Sequence, residues 1–257
     1  ICKMEGAEAG YAFATGMSAV FSTFAALLNS GDHVVSARSV FGSTHALFTK
    51  FLPKWNIETS YFKVDEVASI EKLIQPNTKI LFAETPTNPA VDVLDLEFLG
   101  EIAKKHNIYV LVDAAAQIYP LDILGKYVRM GADAQVVAAK YMGASQSVGL
   151  ALGTNEMIEK ITKQSFTGYE GRRIRGIGRP MKVDRQEIIG VTVAVHEWVT
   201  MNHEERLALA EKQSSVMLAP LQNIKGVNAK IINNIIGNQP FGVKVEIDEN
   251  ITGISAE

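Results

Sequence analysis

Cysteine is nearly absent from this chain of 257 residues: there is one, Cys2. That excludes an internal disulfide framework and a thiolate metal cluster, and no metal site is expected. It also predicts a reducing, cytoplasmic setting. Long apolar runs are missing as well. None approaches the roughly 20 residues that a membrane-spanning helix needs, so no membrane partner is expected. The opening stretch, ICKMEGAEAG, carries no leader pattern, and both ends read as cut. A surplus of one charge is lacking, with 25 basic against 28 acidic residues and a net charge of −3. That balance leaves no electrostatic footprint for nucleic acid. No G-x-G-x-x-G follows the first strand, which argues against a nicotinamide-binding Rossmann domain. What remains is 47% hydrophobic and 21% charged, the composition of a globular protein able to bury one large core or one and a half domains.

The order of patterns predicts an α/β fold. Short apolar runs at residues 33–36, 57–62, 79–83, 108–112, 134–139 and 148–152 read as strands. Amphipathic stretches at 67–74, 94–106 and 156–163 read as helices between them. Strands alternating with helices give a doubly wound, mostly parallel sheet. Residues 184–201 and 204–221 look helical, and 227–236 and 241–247 look like strands. The expected division is therefore a large domain over 1–200 and an incomplete small α+β domain over 201–257.

The chemistry concentrates in residues 108–143. One buried run ends in Asp113, the next is followed by Lys140 and a glycine-bearing turn. If both runs are parallel strands, a carboxylate and an amine emerge side by side at the sheet edge where open α/β sheets bind ligands. Such a pair suits pyridoxal phosphate, with the lysine bonding the aldehyde and the acid holding the pyridinium nitrogen. Burial is expected to make the lysine a proton carrier. Taken alone, the same residues also fit a turn-capping aspartate and a solvated lysine. Upstream, Thr15-Gly16-Met17-Ser18 opens a helix, a start that offers free N–H groups to a phosphate. Phe41 stands beside Gly42 at a strand-to-helix junction, and Asn88 lies in the proline-stiffened loop ETPTNP.

Three stretches in order, EGAEAGYAFATGMSAV, SGDHVVSARSVFGSTHALF and ETPTNP, resemble the cystathionine γ-synthase-like family of Cys/Met-metabolism pyridoxal-phosphate enzymes. The likeness runs over about residues 4–112 and is greatest to the O-acylhomoserine sulfhydrylase branch. It implies the transferase fold type I and a homodimer or homotetramer. The implied reaction is γ- or β-elimination or replacement on an amino acid such as O-acetyl- or O-succinylhomoserine. It places Gly16 and Met17 on the cofactor phosphate, Phe41 on the ring face, Asn88 at the ring hydroxyl, Asp113 at the ring nitrogen and Lys140 in the Schiff base. Tyrosine is commoner than phenylalanine at the position of Phe41.

The second half departs from that pattern. Asp113 is followed by Ala114-Ala115-Ala116-Gln117, and Val137-Ala138-Ala139 stand where the family carries Ser-Ala-Thr, so two phosphate-binding hydroxyls are missing. VDAAAQIYP, SQSVGLALG and GIGRPMKVDRQEIIG are similar instead to the selenocysteine synthase-like group, which gives the chain a hybrid appearance with a junction near 108–113. That second resemblance implies an alternative, ammonia loss from an aminosugar acid phosphate. Arg172, Arg173, Arg175 and Arg179 would then supply cations for the distal phosphate. Arg179 and Lys182 are the candidates for an anion contact. A third alternative is a protein of this fold without turnover.

Overall fold

The computed structural model describes residues 1–87, 93–115, 126–145, 147–172, 177–233 and 240–255. The chain divides into two compact units, Ile1–Val199 and Thr200–Glu257.

In the first unit the strands are β1 (Ala9–Phe13), β2 (His33–Ala37), β3 (Glu58–Phe62), β4 (Thr78–Glu84), β5 (Tyr109–Asp113), β6 (Ala134–Ala138) and β7 (Gly149–Gly153). The helices are α1 (Cys2–Glu5), α2 (Gly16–Leu27), α3 (Gly42–Ala46), α4 (Leu96–His106), α5 (Lys126–Arg129), α6 (Asn155–Thr162), α7 (Phe166–Arg172) and α8 (Arg185–Thr200). The strands form one sheet in the order β1-β7-β6-β5-β4-β2-β3. From β6 to β3 neighbours run parallel, whereas β7 and β1 add antiparallel pairs at one edge. The sequence HVVSA of β2 and AQVVA of β6 is buried at every position. Continuous burial of that kind belongs to interior parallel strands covered on both faces.

Helix α4 shows how local sequence sets an element. The Asp95 side chain accepts the Phe98 N–H at 3.0 Å to start it. Lys104, Lys105 and His106 complement the dipole in its last turn, and Asn107 closes it at φ 54°. Leu96, Leu99, Ile102 and Ala103 are buried on the inner face. Each fully buried leucine or isoleucine contributes roughly 1.5–3 kcal/mol.

The core above β4 is aromatic. Phe24 of α2, Phe48 in the π-helical turn after α3, and Phe82 of β4 have ring centroids 5.3–5.4 Å apart in all three pairs. Contacts of this geometry add about 0.5–1.5 kcal/mol per pair beyond area burial. They fix α2 and the α3 segment to the sheet, and so fix where the starts of both helices lie.

One local expectation needs correction, and one strand was not foreseen. Residues 64–73 form 3-10 turns rather than an amphipathic α-helix, with a non-helical Glu66 inside them. Only Ile70 is buried there, and the Ser69 hydroxyl occupies the Glu66 carbonyl at 2.7 Å, so little packing favours the longer-range ladder. The strand β1 is not legible as a run. Its sequence AGYAF is held by pairing with β7, and Gly10 leaves room for the Leu152 side chain, which a Cβ would meet at 2.7 Å.

The second unit holds helix α9 (His203–Leu218), strands β8 (Val227–Asn233) and β9 (Pro240–Ile247) in an antiparallel pair, and helix α10 (Glu249–Thr252). Asn202 starts α9 by accepting the Glu205 N–H at 3.1 Å.

At the amino-terminal edge of the large sheet, His33 is buried with its ring nitrogens 2.8 Å from Thr78 Oγ1 and 3.0 Å from Ser60 Oγ. Burial lowers its pKa from the ordinary 6.5, against a smaller raising effect of Glu58. The unfolded chain therefore takes up a proton before the folded one. The stabilising contribution is complete above pH 6.5 and declines as pH falls through and below that value. Urea denaturation from about pH 8 to about pH 5 should show this loss, and His33→Gln should flatten it while costing about 1–3 kcal/mol at the upper end. An unchanged slope in the variant would assign the acid sensitivity elsewhere.

Candidate active site

A cavity of about 260 Å³ opens at the carboxyl ends of the parallel strands. Each strand delivers its chemistry at this edge. Phe41 comes from the loop after β2, and Glu84, Thr85 and Pro86 from the end of β4. Asp113 and Ala115 end β5, and Ala138 and Lys140 end β6. Thr15, Gly16 and Met17 enter from the start of α2.

The parallel register places Glu84 opposite Asp113, and β6 runs beside β5 with Asp113 opposite Val136. Two residues past β6, Lys140 stands in a 3-10 turn that Gly143 closes at φ 92°. Asp113 and Lys140 thus share a cavity because adjacent strands end together. Asp113 is only 6% exposed. Its Oδ1 accepts the Ala115 N–H at 3.0 Å, and no cation pairs with it among the described residues. Burial pushes its pKa up to about 6, partly offset by the Ala115 N–H. Lys140 is exposed rather than buried, with Nζ 5.0 Å from the centroid of the Tyr141 ring. The expectation of a buried amine is corrected on this point: the turn lifts the side chain off the strand.

Thr15 caps α2, its hydroxyl accepting the Ser18 N–H at 2.9 Å. Gly16 and Met17 are the first helical residues, so their N–H groups have no intrahelical acceptor. Strand β7 passes so near this turn that a Cβ on Gly149 would lie 2.4 Å from the Thr15 carbonyl oxygen and 2.6 Å from the Gly16 nitrogen. Only glycine admits that approach. Phe41 is 44% exposed on the cavity wall, and its backbone N–H donates to Glu84 Oε2.

The remaining candidates divide. Arg179 and Lys182 do not line this cavity. Arg179 pairs with Glu170 at 3.0 Å and lies over the Phe166 ring, as does Lys182 Nζ at 4.4 Å. Asn88, Arg173 and Arg175 lie outside the described residues, and so does the side chain of Arg172. The missing hydroxyls also change place: Val137 and Ala139 are fully buried behind the wall, and Ala138 lines it. Sequence reasoning passed over Thr85, Tyr141 and Ser147 as site residues. Thr85 stands within the proline-loop motif and Tyr141 next to the lysine, which were usable signals. Ser147 has none, because it reaches the cavity through the antiparallel return of β7.

A family model described as Cys/Met metabolism PLP-dependent enzyme matches residues 1–197. The chain belongs to this family. Pyridoxal phosphate is the family's cofactor, and the cavity fits it on two observations independent of the match. Asp113 is a buried acid with no cation beside it among the described residues, and a pyridinium would be that cation. Thr85 Oγ1 is buried without a hydrogen-bond partner among the described residues.

Among curated relatives, the chain is 37% identical to a cystathionine gamma-lyase of Bacillus subtilis over 149 residues, 58% of this chain and 38% of that protein. It is 33% identical over 215 residues to an O-succinylhomoserine sulfhydrylase of Mycobacterium tuberculosis, 82% of this chain and 48% of that protein. The chain therefore spans less than half the length of these relatives. The crystal structure of cystathionine gamma-lyase from Lactobacillus plantarum shares the fold, with a TM-score of 0.74 at 22% identity over 97% of this chain and 64% of the other. The family model's match includes residues 108–113, where a hybrid junction was expected.

The carboxylate of Asp113 carries a test of the empty-cavity electrostatics. With a folded pKa of about 6 against an ordinary 3.8, its stabilising contribution is complete below pH 3.8 and is lost as pH rises through 6, a cost of about 3 kcal/mol. Cofactor-free Asp113→Asn should therefore match the parent in urea at about pH 4 and exceed it at about pH 8. Pyridoxal phosphate should reverse the order at the higher pH. A variant less stable at both values would show that Asp113 serves the fold.

Proposed function

We propose that this cavity is the cofactor site of an enzyme catalysing γ- or β-elimination or replacement on a sulfur amino acid or an acylated homoserine. The reading is carried by one observation: Asp113 and Lys140 open onto the same cavity from the ends of adjacent parallel strands.

When bound, pyridoxal phosphate supplies an aldehyde that bonds amines and a ring that accepts electrons. The residues of the chain divide the remaining work. The Gly16 and Met17 N–H groups, at the positive end of α2, bind the phosphate. Asp113 holds a proton on the ring nitrogen, because an ionised carboxylate beside a cation is far better placed than one buried alone. Phe41 would cover one face of the ring, and Asn88 is assigned to the ring hydroxyl. Lys140 would hold the aldehyde carbon, and its Nζ would carry the proton between the substrate Cα and a neighbouring atom. Its exposure on the cavity wall leaves it free to swing between these positions. A small amino-acid substrate agrees with the family, and assembly as a homodimer or homotetramer rests on the family resemblance.

The choice of an acylated homoserine is supported by the sulfhydrylase among the relatives and by the motifs of the first half. Ammonia loss from an aminosugar acid phosphate needs cations at the far end of the substrate. Arg179 is already engaged by Glu170 and Phe166, so no described contact favours that reading.

The protein loaded with pyridoxal phosphate and reduced with borohydride should carry the pyridoxyl group on Lys140 in peptide maps. In a separate, unreduced sample loaded with pyridoxal phosphate, O-acetyl- or O-succinylhomoserine with sulfide should give homocysteine, or ketobutyrate without sulfide. Label on Lys163 or Lys182 would remove Lys140 from the site. Ammonia from an aminosugar acid phosphate alone would reverse the choice of substrate, and unreduced protein that binds the cofactor yet is inert to both would be a fold without turnover.

A further inference from the structure

Glu84 ends β4 at the place where the connections of the sheet diverge. From β2 the chain goes outward to β3, then returns across β2 to β4 and proceeds the other way to β5. Loops leaving β2 and β4 therefore run apart and leave a crevice, the usual ligand position in open α/β sheets. A hydrogen bond spans it. The Glu84 carboxylate, 7% exposed, accepts the Phe41 N–H at 2.5 Å.

The Phe41 ring, almost half exposed, is not immobilised by packing. Its place is set by its backbone, which begins α3 with φ −49° and ψ 137° and accepts the His45 N–H at 2.9 Å. Helix α3 is in turn tied to the Gly16-Met17 turn, the Thr44 hydroxyl lying 3.6 Å from Met17 Sδ. A buried carboxylate makes a bond to an N–H about twice as strong as a neutral acceptor does. Such a bond is suited to holding one loop residue still against thermal motion.

We propose that Glu84 is a positioning residue: its carboxylate holds the Phe41 backbone across the crevice so that the ring lies over the face of the bound cofactor. This rests on the cavity being the pyridoxal-phosphate site. Glu84 differs here from Asp113, its register partner on β5, which acts on the ring nitrogen itself.

A double-mutant cycle on the full chain tests the proposal, with pyridoxal phosphate titrated and read by visible absorbance and induced circular dichroism. Glu84→Leu should weaken binding about tenfold and diminish the induced signal. Glu84→Gln keeps a carbonyl acceptor and should recover most of the loss. In a Phe41→Ala background, Glu84→Leu should change affinity by less than about twofold, since no ring remains to be placed. Equal losses with and without the Phe41 ring would overturn the proposal, because Glu84 would then act on the cofactor or the fold directly. So would a Glu84→Leu variant that binds like the parent. If Glu84→Leu does not fold by far-ultraviolet dichroism, amide exchange in Glu84→Met, which keeps the length of the side chain and lacks the oxygen acceptor, decides. Faster exchange confined to residues 40–42 supports the clamp, and unchanged exchange overturns it. A parent protein that binds no pyridoxal phosphate would instead refute the cofactor site.

Discussion

The Asp113 carboxylate ends an interior strand, between β4 and β6, where water scarcely reaches it. An ionised acid in such a place is costly unless a cation or several donors meet it. The chain supplies a single described donor, the Ala115 N–H. The rest of the cavity takes its meaning from that shortfall. A ligand with a positive ring nitrogen, as in the proposed cofactor, would relieve it. As an ionised group near neutral pH, Asp113 costs the fold more than its one described bond returns, which is why the residue points to function.

Around this acid, close approach does the positioning. Gly149 lets β7 run against the start of α2, and the Phe24, Phe48 and Phe82 rings lock α2 and the α3 segment to β4. Both helix starts are thereby brought to one sheet edge. Neither device is chemical, yet each decides where a group on the cavity wall lies. The Glu84 bond to Phe41 joins the two, linking the sheet to the loop that carries the exposed ring.

The departures from the family pattern fall at particular places in this arrangement. Val137 and Ala139 turn away from the cavity, so the lost hydroxyls leave apolar packing behind the wall rather than a hole in it. Ala138 faces the cavity, and a Cβ on Gly16 would lie 4.0 Å from its own. On the proposed reading, the phosphate end would rest more heavily on the amides of Gly16 and Met17. The arginine-rich stretch is drawn partly to Glu170 and Phe166, which makes the described part of it a surface contact.

Much of this is legible in the chain itself. Buried runs such as HVVSA and ILFA announce interior strands, because only strands covered on both faces bury every residue in turn. Asp113 and Lys140 stand at the ends of such runs, and their chemistry can be paired from that position alone. Thr15-Gly16 announces a capped helix through its local hydrogen bond. Other features have no local signature. The strand β1 exists because β7 pairs with it, and 3-10 turns replace a helix at residues 64–73 because one buried isoleucine is too little to hold it. Whether Lys140 is buried, which alanine faces the cavity and where Arg179 points all depend on side-chain direction in three dimensions. The sequence determined the order of chemical groups along the strands and the type of each element, through periodicity and local bonding. Only the tertiary structure decided which groups meet, because burial and distance are set by contacts between residues far apart in the chain.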